Sequence, residues 1–470
     1  MSGYQLYTTH APLWNKSFPS HWRVLPMYAL AKEKSICGCA DLPLLSVYLD
    51  VGVIPFEEKT EKRTNVTSKD LSKYQRVDYG DFVLNNQQAW RGSVGISFHT
   101  GIVSPAYIVL SMNDTLNNRY ANYLMRSQIM VDQYLINSKS VGSIQRNIYW
   151  AALKRTSVPV PPRKEQDQIV RFLDWKVSSI NKLINIRKKE TKELKVLQSS
   201  IIIQTVTQGL NPNVPTKSSG IKWTPQIPVF WNVARLKTLL QTHFSGAWGE
   251  EPNGVEDFLC IRIADFRFDR VCVSKEIPTL RRFTREQVEK KVLHDGDLLL
   301  EKSGGGEKTR VGRVVQFIDN QNKSMMCSNF IECLRPNGIR VNSSYLTFLL
   351  KSLYLLTEMN GYFKQTTGIQ NVDLNAYLAI LLPIPPREEQ EQIVHFIENK
   401  TSKILKLIEI KKKEILELEN YKTCLIADVV TGQMDVRNII VPEYEHVDEI
   451  SADGGEDASE EKEDFNEEED

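Results

Sequence analysis

The chain has 470 residues, 41% of them hydrophobic and 25% charged, with a formal net charge of +1; such a chain is expected to fold as about two globular domains. No apolar run approaches the roughly eighteen residues of a membrane span, so no membrane-spanning helix is expected, and the N-terminus lacks a basic-then-apolar signal pattern, which argues against export. Seven cysteines without framework spacing read as reduced thiols, so a cytoplasmic location is expected.

The near-neutral charge conceals a division. Residues 443–470 carry a net charge of −14, which leaves +15 on residues 1–442. A body this basic is expected to meet a polyanion. The acidic terminus, residues 438–470, is expected to be disordered, either solubilising the chain or shielding its basic surface.

Taken in chain order, the elements come twice. Trp14, Pro19 and Trp22 open the first half, and Trp223, Pro228 and Trp231 open the second at the same spacing. Ser68 and Thr284 are candidate N-caps of short helices before a Gly-Asp pair in each half, at Gly80-Asp81 and Gly296-Asp297. Apolar runs at 82–84, 106–110, 297–300 and 311–315 predict strands, and 119–135 and 344–358 carry helical patterns. Val158 to Phe172 then returns as Leu382 to Phe396, about 224 positions later, and the likeness continues to Val206-Thr207 and Val430-Thr431. Between these anchors the halves diverge. The expected layout is a first variable module (1–157), a shared segment with a long helix (158–209), a linker (210–222), a second variable module (223–381), a second shared segment (382–437) and the tail.

Each shared segment opens on prolines, which exclude helix, and then becomes a long helix. Ile397, Ile404, Leu418 and Leu425 fall at seven-residue multiples, with Ile408 and Ile415 four beyond such positions. Leu173, Ile180, Ile184, Leu194 and Ile201 are their counterparts in the first copy, and Arg187 with Lys411, and Gln198 with Lys422, interrupt the seam at equivalent places. This is a coiled-coil pattern. About forty residues span on the order of 60 Å, so two rods packed on each other are expected. The fold class is mixed α/β with an internal pseudo-twofold repeat.

The strand after each Gly-Asp ends in a polar stretch that differs between the halves. Asn85, Asn86, Gln87, Gln88, Trp90 and Arg91 lie in one, and Lys302, Lys308, Arg310 and Arg313 lie in or beside the other. Asn and Gln match adenine edges and Arg and Lys match guanine, at about 1–3 kcal/mol per good pair; Trp90 adds a flat contact surface. Gln145 and Arg146, and Gln370 and Asn371, sit on predicted loops entering the shared segments, where phosphate positioning is expected. Solvated turns are the plainer alternative for each.

Catalytic patterns fail one by one. Ser303-Gly-Gly-Gly-Glu-Lys-Thr309 lacks P-loop spacing, and Cys37-Gly-Cys39 has no second ligand pair. Asp295, Asp297, Glu301 and Lys302 look superficially like a nuclease site. Adjacent residues of a strand point to opposite faces, however, so they read as a turn into a strand. No enzyme and no metal site are expected. A coiled-coil scaffold binding proteins only, or a degenerate DNA-binding regulator, is the competing reading.

With its paired Pro-Pro-Arg-x-Glu-Gln-x-Gln-Ile-Val segments, Pro-x-x-Trp openings and helix ends near Val-Thr-Gly, the chain resembles type I restriction–modification specificity subunits over about residues 10–437. The resemblance implies two target recognition domains, each reading half of a split double-stranded DNA sequence, and two antiparallel helices between them. It implies two modification subunits that supply S-adenosylmethionine and methylate adenine, and restriction subunits that use ATP and Mg2+ against foreign DNA. This chain itself is then non-catalytic and holds no cofactor. The methyltransferase Asn/Asp-Pro-Pro-aromatic motif of a fused enzyme is absent, and the ending beyond Val441 departs from the usual pattern.

Overall fold

A computed structural model describes residues 3–9, 17–49, 51–58, 70–141, 145–255, 257–304, 310–319, 324–356, 361–366 and 369–448. The chain divides into two compact units. One combines Met1–Arg187 with Lys413–Ser451, and the other is built on Lys188–Lys412. Each unit therefore holds one variable module, the start of one long helix and the end of the other.

In the first unit an antiparallel sheet runs in the order Ala31–Lys34, Tyr107–Met112, Phe82–Asn85, Val94–Ile96. The predicted helical stretch at 119–135 is two helices, Asn118–Met125 and Gln128–Ile136, separated at Arg126-Ser127. Ser157–Val160 pairs with Arg23–Pro26 before the first long helix, Arg163–Gln208, begins. In the second unit Leu240–Ser245, Ile331–Pro336, Leu298–Glu301 and Val314–Gln316 form the main part of a six-stranded sheet. It is covered by the helix Ser343–Leu355, and the second long helix is Arg387–Val430. Thr284 caps a helix at Arg285–Lys291 as expected, with Gln287 closing a capping box. Ser68 lies outside the described residues, and described residues 70–79 contain a strand, Gln75–Val77, and no helix.

The shared motifs are structural, and each residue does the same work twice. Glu165 accepts a hydrogen bond from Trp22 Nε1 at 3.0 Å, and Glu389 accepts one from Trp231 Nε1 at 2.9 Å. Gln166 Oε1 accepts from the backbone N–H of Asn117 at 2.7 Å, while Gln390 Oε1 accepts from that of Asn342 at 2.8 Å. Both asparagines cap the helix that follows the sheet. Gly432 and Gly209 end the long helices with φ of 70° and 76°. A Cβ on Gly432 would lie 2.5 Å from Pro19 Cδ, and one on Gly209 would lie 3.2 Å from Trp231 Cζ2. The Pro-x-x-Trp opening is thus the cover of a helix end that only glycine permits.

The helices pair antiparallel, with Arg187 Nε 2.6 Å from Glu414 and Lys422 Nζ 3.3 Å from Asn181 Oδ1 in the first unit. In the second, Lys411 Nζ lies 3.3 Å from Glu190. The two polar interruptions foreseen at Arg187 and Lys411 are therefore ion pairs, equivalent under the repeat. The expectation of two rods packed simply on each other needs correction, because the helices also enter the module cores. Leu173, Ile180, Ile184 and Leu425 are buried in the core of the first module, beside Phe82 and Tyr120. Ile397 is buried in that of the second with Ile202, Val206 and Trp231. Ile404 and Ile408 are buried, but Leu194, Ile201, Ile415 and Leu418 are only half-buried. Near its end the first helix turns Ile202, not Ile201, inward, because that turn packs on a module rather than only on its partner helix. Gln198 likewise leaves the seam and donates to the carbonyl of Asp269 at 3.3 Å.

Two boundary expectations also change. Thr216–Ser218, expected in a linker, pairs with Gln226–Pro228 and belongs to the second module's opening. Residues 438–448, assigned to a disordered tail, lie along the first long helix. Gln168 Nε2 donates to the carbonyls of Val436 and Ile439, Ser178 Oγ to Glu445, Asn181 to Val447 and Asn185 to Asp448, at 2.7–3.1 Å. The backbone carbonyls find donors on one helix, which acidic composition alone does not reveal. The remaining tail lies outside the described residues.

One buried cation gives a pH prediction. Lys351 is 4% exposed, and its Nζ donates to the carbonyls of Phe268 and Asp269 at 2.6 and 3.2 Å. Burial pulls its pKa down to about 8, partly offset by Asp269. The unfolded chain therefore binds more protons than the folded one between about pH 8 and the ordinary lysine value, so this residue's contribution to stability rises with pH across that window. Lys351→Met is expected to abolish that rise, read by chemical denaturation at pH 7, 8, 9 and 10.

Candidate nucleic-acid interface

Each site begins at the Gly-Asp pair. Gly80 and Gly296 have φ of 90° and 84°. Asp81 Oδ2 accepts from the N–H of Asp78 at 2.7 Å, and Asp297 Oδ2 from that of His294 at 2.8 Å, closing the same turn twice. Asp81 is also 2.5 Å from Lys34 Nζ, while Arg335 grips Asp297 through Nε and Nη2 at 2.8 and 2.7 Å. Lys34, despite the pull of its own burial, is held above its ordinary pKa by Asp78 and Asp81. The turn launches the strand whose end carries the polar residues.

In the first module that end folds back on a hairpin, Ser138–Val141 with Gln145–Ile148. The N–H of Ile148 donates to both Asn86 Oδ1, at 2.9 Å, and the Asn86 carbonyl, at 3.2 Å. Asn85 Oδ1 accepts from the N–H groups of Gln87 and Gln88 at 3.1 and 3.3 Å, an Asx turn. Gln87 is exposed, Gln88 half-buried, and Trp90 donates through Nε1 to the Gln87 carbonyl at 2.9 Å. Arg91 stacks on the Trp90 ring, its guanidinium carbon 4.7 Å from the ring centre. The structure thus unites the loop 85–91 with the hairpin, which are sixty residues apart in the chain.

The second module repeats the join with other side chains. The N–H of Val372 donates to the Lys302 carbonyl at 2.8 Å, and Ser303-Gly304 pairs with Gln370-Asn371 of the hairpin Phe363–Thr366 with Ile369–Val372. Ser303 Oγ donates to Asn371 Oδ1 at 2.6 Å, and Gln370 Oε1 accepts from the N–H of Val311 at 3.4 Å. Arg310 stacks over the Tyr354 ring at 5.4 Å.

Several expectations are revised here. Gln145, Arg146, Gln370 and Asn371 stand on strands, not loops; a short hairpin rich in polar residues has the composition of a loop. Arg146 uses Nε, Nη1 and Nη2 on Ser138 and Ser140 of its own hairpin, at 2.8–3.2 Å. Arg313 binds the buried Glu301 at 2.9 and 3.1 Å, and Lys302 pairs with Glu332 at 3.3 Å. These cations are at least partly committed to holding the module together. Lys308 and the side chain of Gln145 lie outside the described residues. Glu301 and Lys302 bind different partners, Arg313 and Glu332, and Asp297 is gripped by Arg335. Among the described residues no three His, Cys, Asp or Glu side chains are placed to hold a metal, and no helix is long and apolar enough to cross a membrane. Sequence reading missed Ser245 and Glu332, which bind Lys302, and His243, which binds Glu332. The signal for Glu332 was an acid inside the otherwise apolar run 331–334; His243 and Ser245 lie in the mixed strand Leu240–Ser245 and gave none.

Comparison with known proteins gives a consistent result. The family model for the type I restriction modification DNA specificity domain matches residues 36–196 and 274–420, one segment from each half. The MjaVIII type I restriction enzyme specificity subunit of Methanocaldococcus jannaschii is 23% identical over 381 residues, covering 78% of this chain and 84% of that one. The putative MjaX specificity subunit of the same organism is 23% identical over 395 residues, covering 79% and 82%. A chain solved in a study of complex assembly and conformational transition of the type I R-M system superposes with a TM-score of 0.62 at 16% identity, covering 89% of this chain and all of that one.

Proposed function

The chain belongs to the type I restriction modification DNA specificity domain family, and from that premise we propose that its two modules each read one half of an asymmetric, bipartite double-stranded DNA target. In this reading the long helices dock two modification subunits, and restriction subunits join that complex. S-adenosylmethionine, ATP and Mg2+ are used by those partners and not held by this chain, whose role is recognition without catalysis.

The observation that carries the reading is the contrast between what is repeated and what is not. Helix ends, Trp covers and Gly-Asp turns recur residue by residue, while the polar patch attached to them changes from Asn86, Gln87 and Trp90 to Lys302, Ser303 and Asn371. One scaffold presenting two different sets of base-edge donors and acceptors fits a reader of two different half-sites. The basic body supplies the sequence-independent attraction to phosphate.

The test is to co-express the chain with a cognate modification subunit in a methylation-free host and map N6-methyladenine across the genome. A single split motif with unlike halves is expected. A complex that forms and binds S-adenosylmethionine without methylating DNA would favour a protein scaffold or a degenerate DNA-binding regulator.

A further inference from the structure

We infer that Glu332, itself held by His243, fixes Lys302 as a reader of a guanine in the second half-site, an inference that rests on the function proposed above. Glu332 is 3% exposed, and a carboxylate so buried is costly unless paired. It receives His243 Nδ1 at 2.9 Å from one neighbouring strand and Lys302 Nζ at 3.3 Å from the end of the other. Ser245, two residues beyond His243, accepts a further hydrogen bond from Lys302 Nζ. Three strands therefore contribute to one cluster.

The acid is buried, but its partners are not. The side chains of Lys302 and His243 keep 24% and 38% exposure. An ammonium has three donors, of which Glu332 and Ser245 take two. Among the described residues the third N–H of Lys302 has no acceptor. A free lysine is a mobile point charge; clamped at two positions it becomes a directed donor, with its ordering cost met before DNA arrives.

The location fits readout. Lys302 directly follows the Gly-Asp strand, and its carbonyl binds the hairpin at Val372, beside the Ser303–Asn371 pair. In the first module the equivalent residue is Asn86, and the place of Glu332 is taken by Ile108. Ile108 stands opposite Leu84 in register, as Glu332 stands opposite Leu300. The device belongs to one module, so it bears on one half-site. A fixed ammonium N–H donor matches the O6 and N7 acceptors of guanine in the major groove.

The test uses the full chain assembled with the modification subunit, comparing His243→Ala and Lys302→Ala with the wild type by methylation mapping. Thermal melting of each complex identifies a variant that is merely unfolded. Because His243→Ala leaves the Lys302–Glu332 pair in place, it also covers a folding failure of the lysine variant. Lys302→Ala is expected to lose about ten- to a hundredfold of discrimination at one G·C position of the second half-site, and His243→Ala, which loosens Glu332, to lose part of it at the same position. The first half-site and the spacer stay unchanged. Folded variants with an intact motif, or relaxation at an A·T pair or in the first half-site, overturn the inference while leaving the function standing. A wild-type complex that methylates nothing overturns both.

Discussion

Trp231→Ala is expected to destabilise the second unit by about 3–5 kcal/mol. The indole is fully buried among Ile202, Val206, Ile393 and Ile397, so its loss removes apolar contact and leaves a cavity at the junction of both long helices with the module. It also removes the Nε1 donor from Glu389. Trp22→Ala should cost less on the electrostatic side. Glu165 keeps His21 Nε2 at 2.8 Å and the hydroxyl of Tyr4 after the indole has gone. Urea denaturation combined with hydrogen exchange separates the two, with lost protection expected in the mutated unit first. Equal losses for the two tryptophans would show that cavity formation outweighs the carboxylate's partners.

The second large effect concerns target geometry. Inserting four residues after Lys188, with a matching four after Lys411, is expected to lengthen the spacer of the methylated motif by about two base pairs, at 1.5 Å per helical residue and about 3.4 Å per base pair. Both half-sites should remain as they were. The insertion must be matched because Arg187–Glu414 and Glu190–Lys411 lock the helices in antiparallel register. Changing one helix alone separates these pairs and shifts every apolar position beyond them. Methylation mapping of the doubly inserted chain decides the matter: unchanged spacing would mean that the helices do not set the distance.

The largest features were legible in the linear chain because they are periodic or duplicated. The long helices, their polar interruptions at Arg187 and Lys411, the Gly-Asp turns and the strands after them were all found where the residues place them. The seam was less legible. Ile201 and Ile202 are adjacent and equally apolar; which one turns inward depends on whether that turn faces a helix or a module. The hairpins at 138–148 and 363–372 escaped notice because their strands, such as Ser138–Val141 and Gln145–Ile148, are short and mostly polar and carry no run of alternating apolar residues.

The sequence by itself determined that there are two equivalent modules, that each is tied to a long helix, and that their polar segments differ, because repetition and hydrophobic period are properties of residue order. Only the tertiary structure decided which residues meet. It closed each module with the end of the other repeat's helix, at Gly432 against Trp22 and Gly209 against Trp231, and it laid residues 436–448 on the first helix. It also committed Arg146, Arg313 and Lys302 to partners inside the modules. Such pairings depend on contacts between segments far apart in the chain. There burial makes a charge or an unpaired polar group costly, and residue order does not state which neighbour will satisfy it.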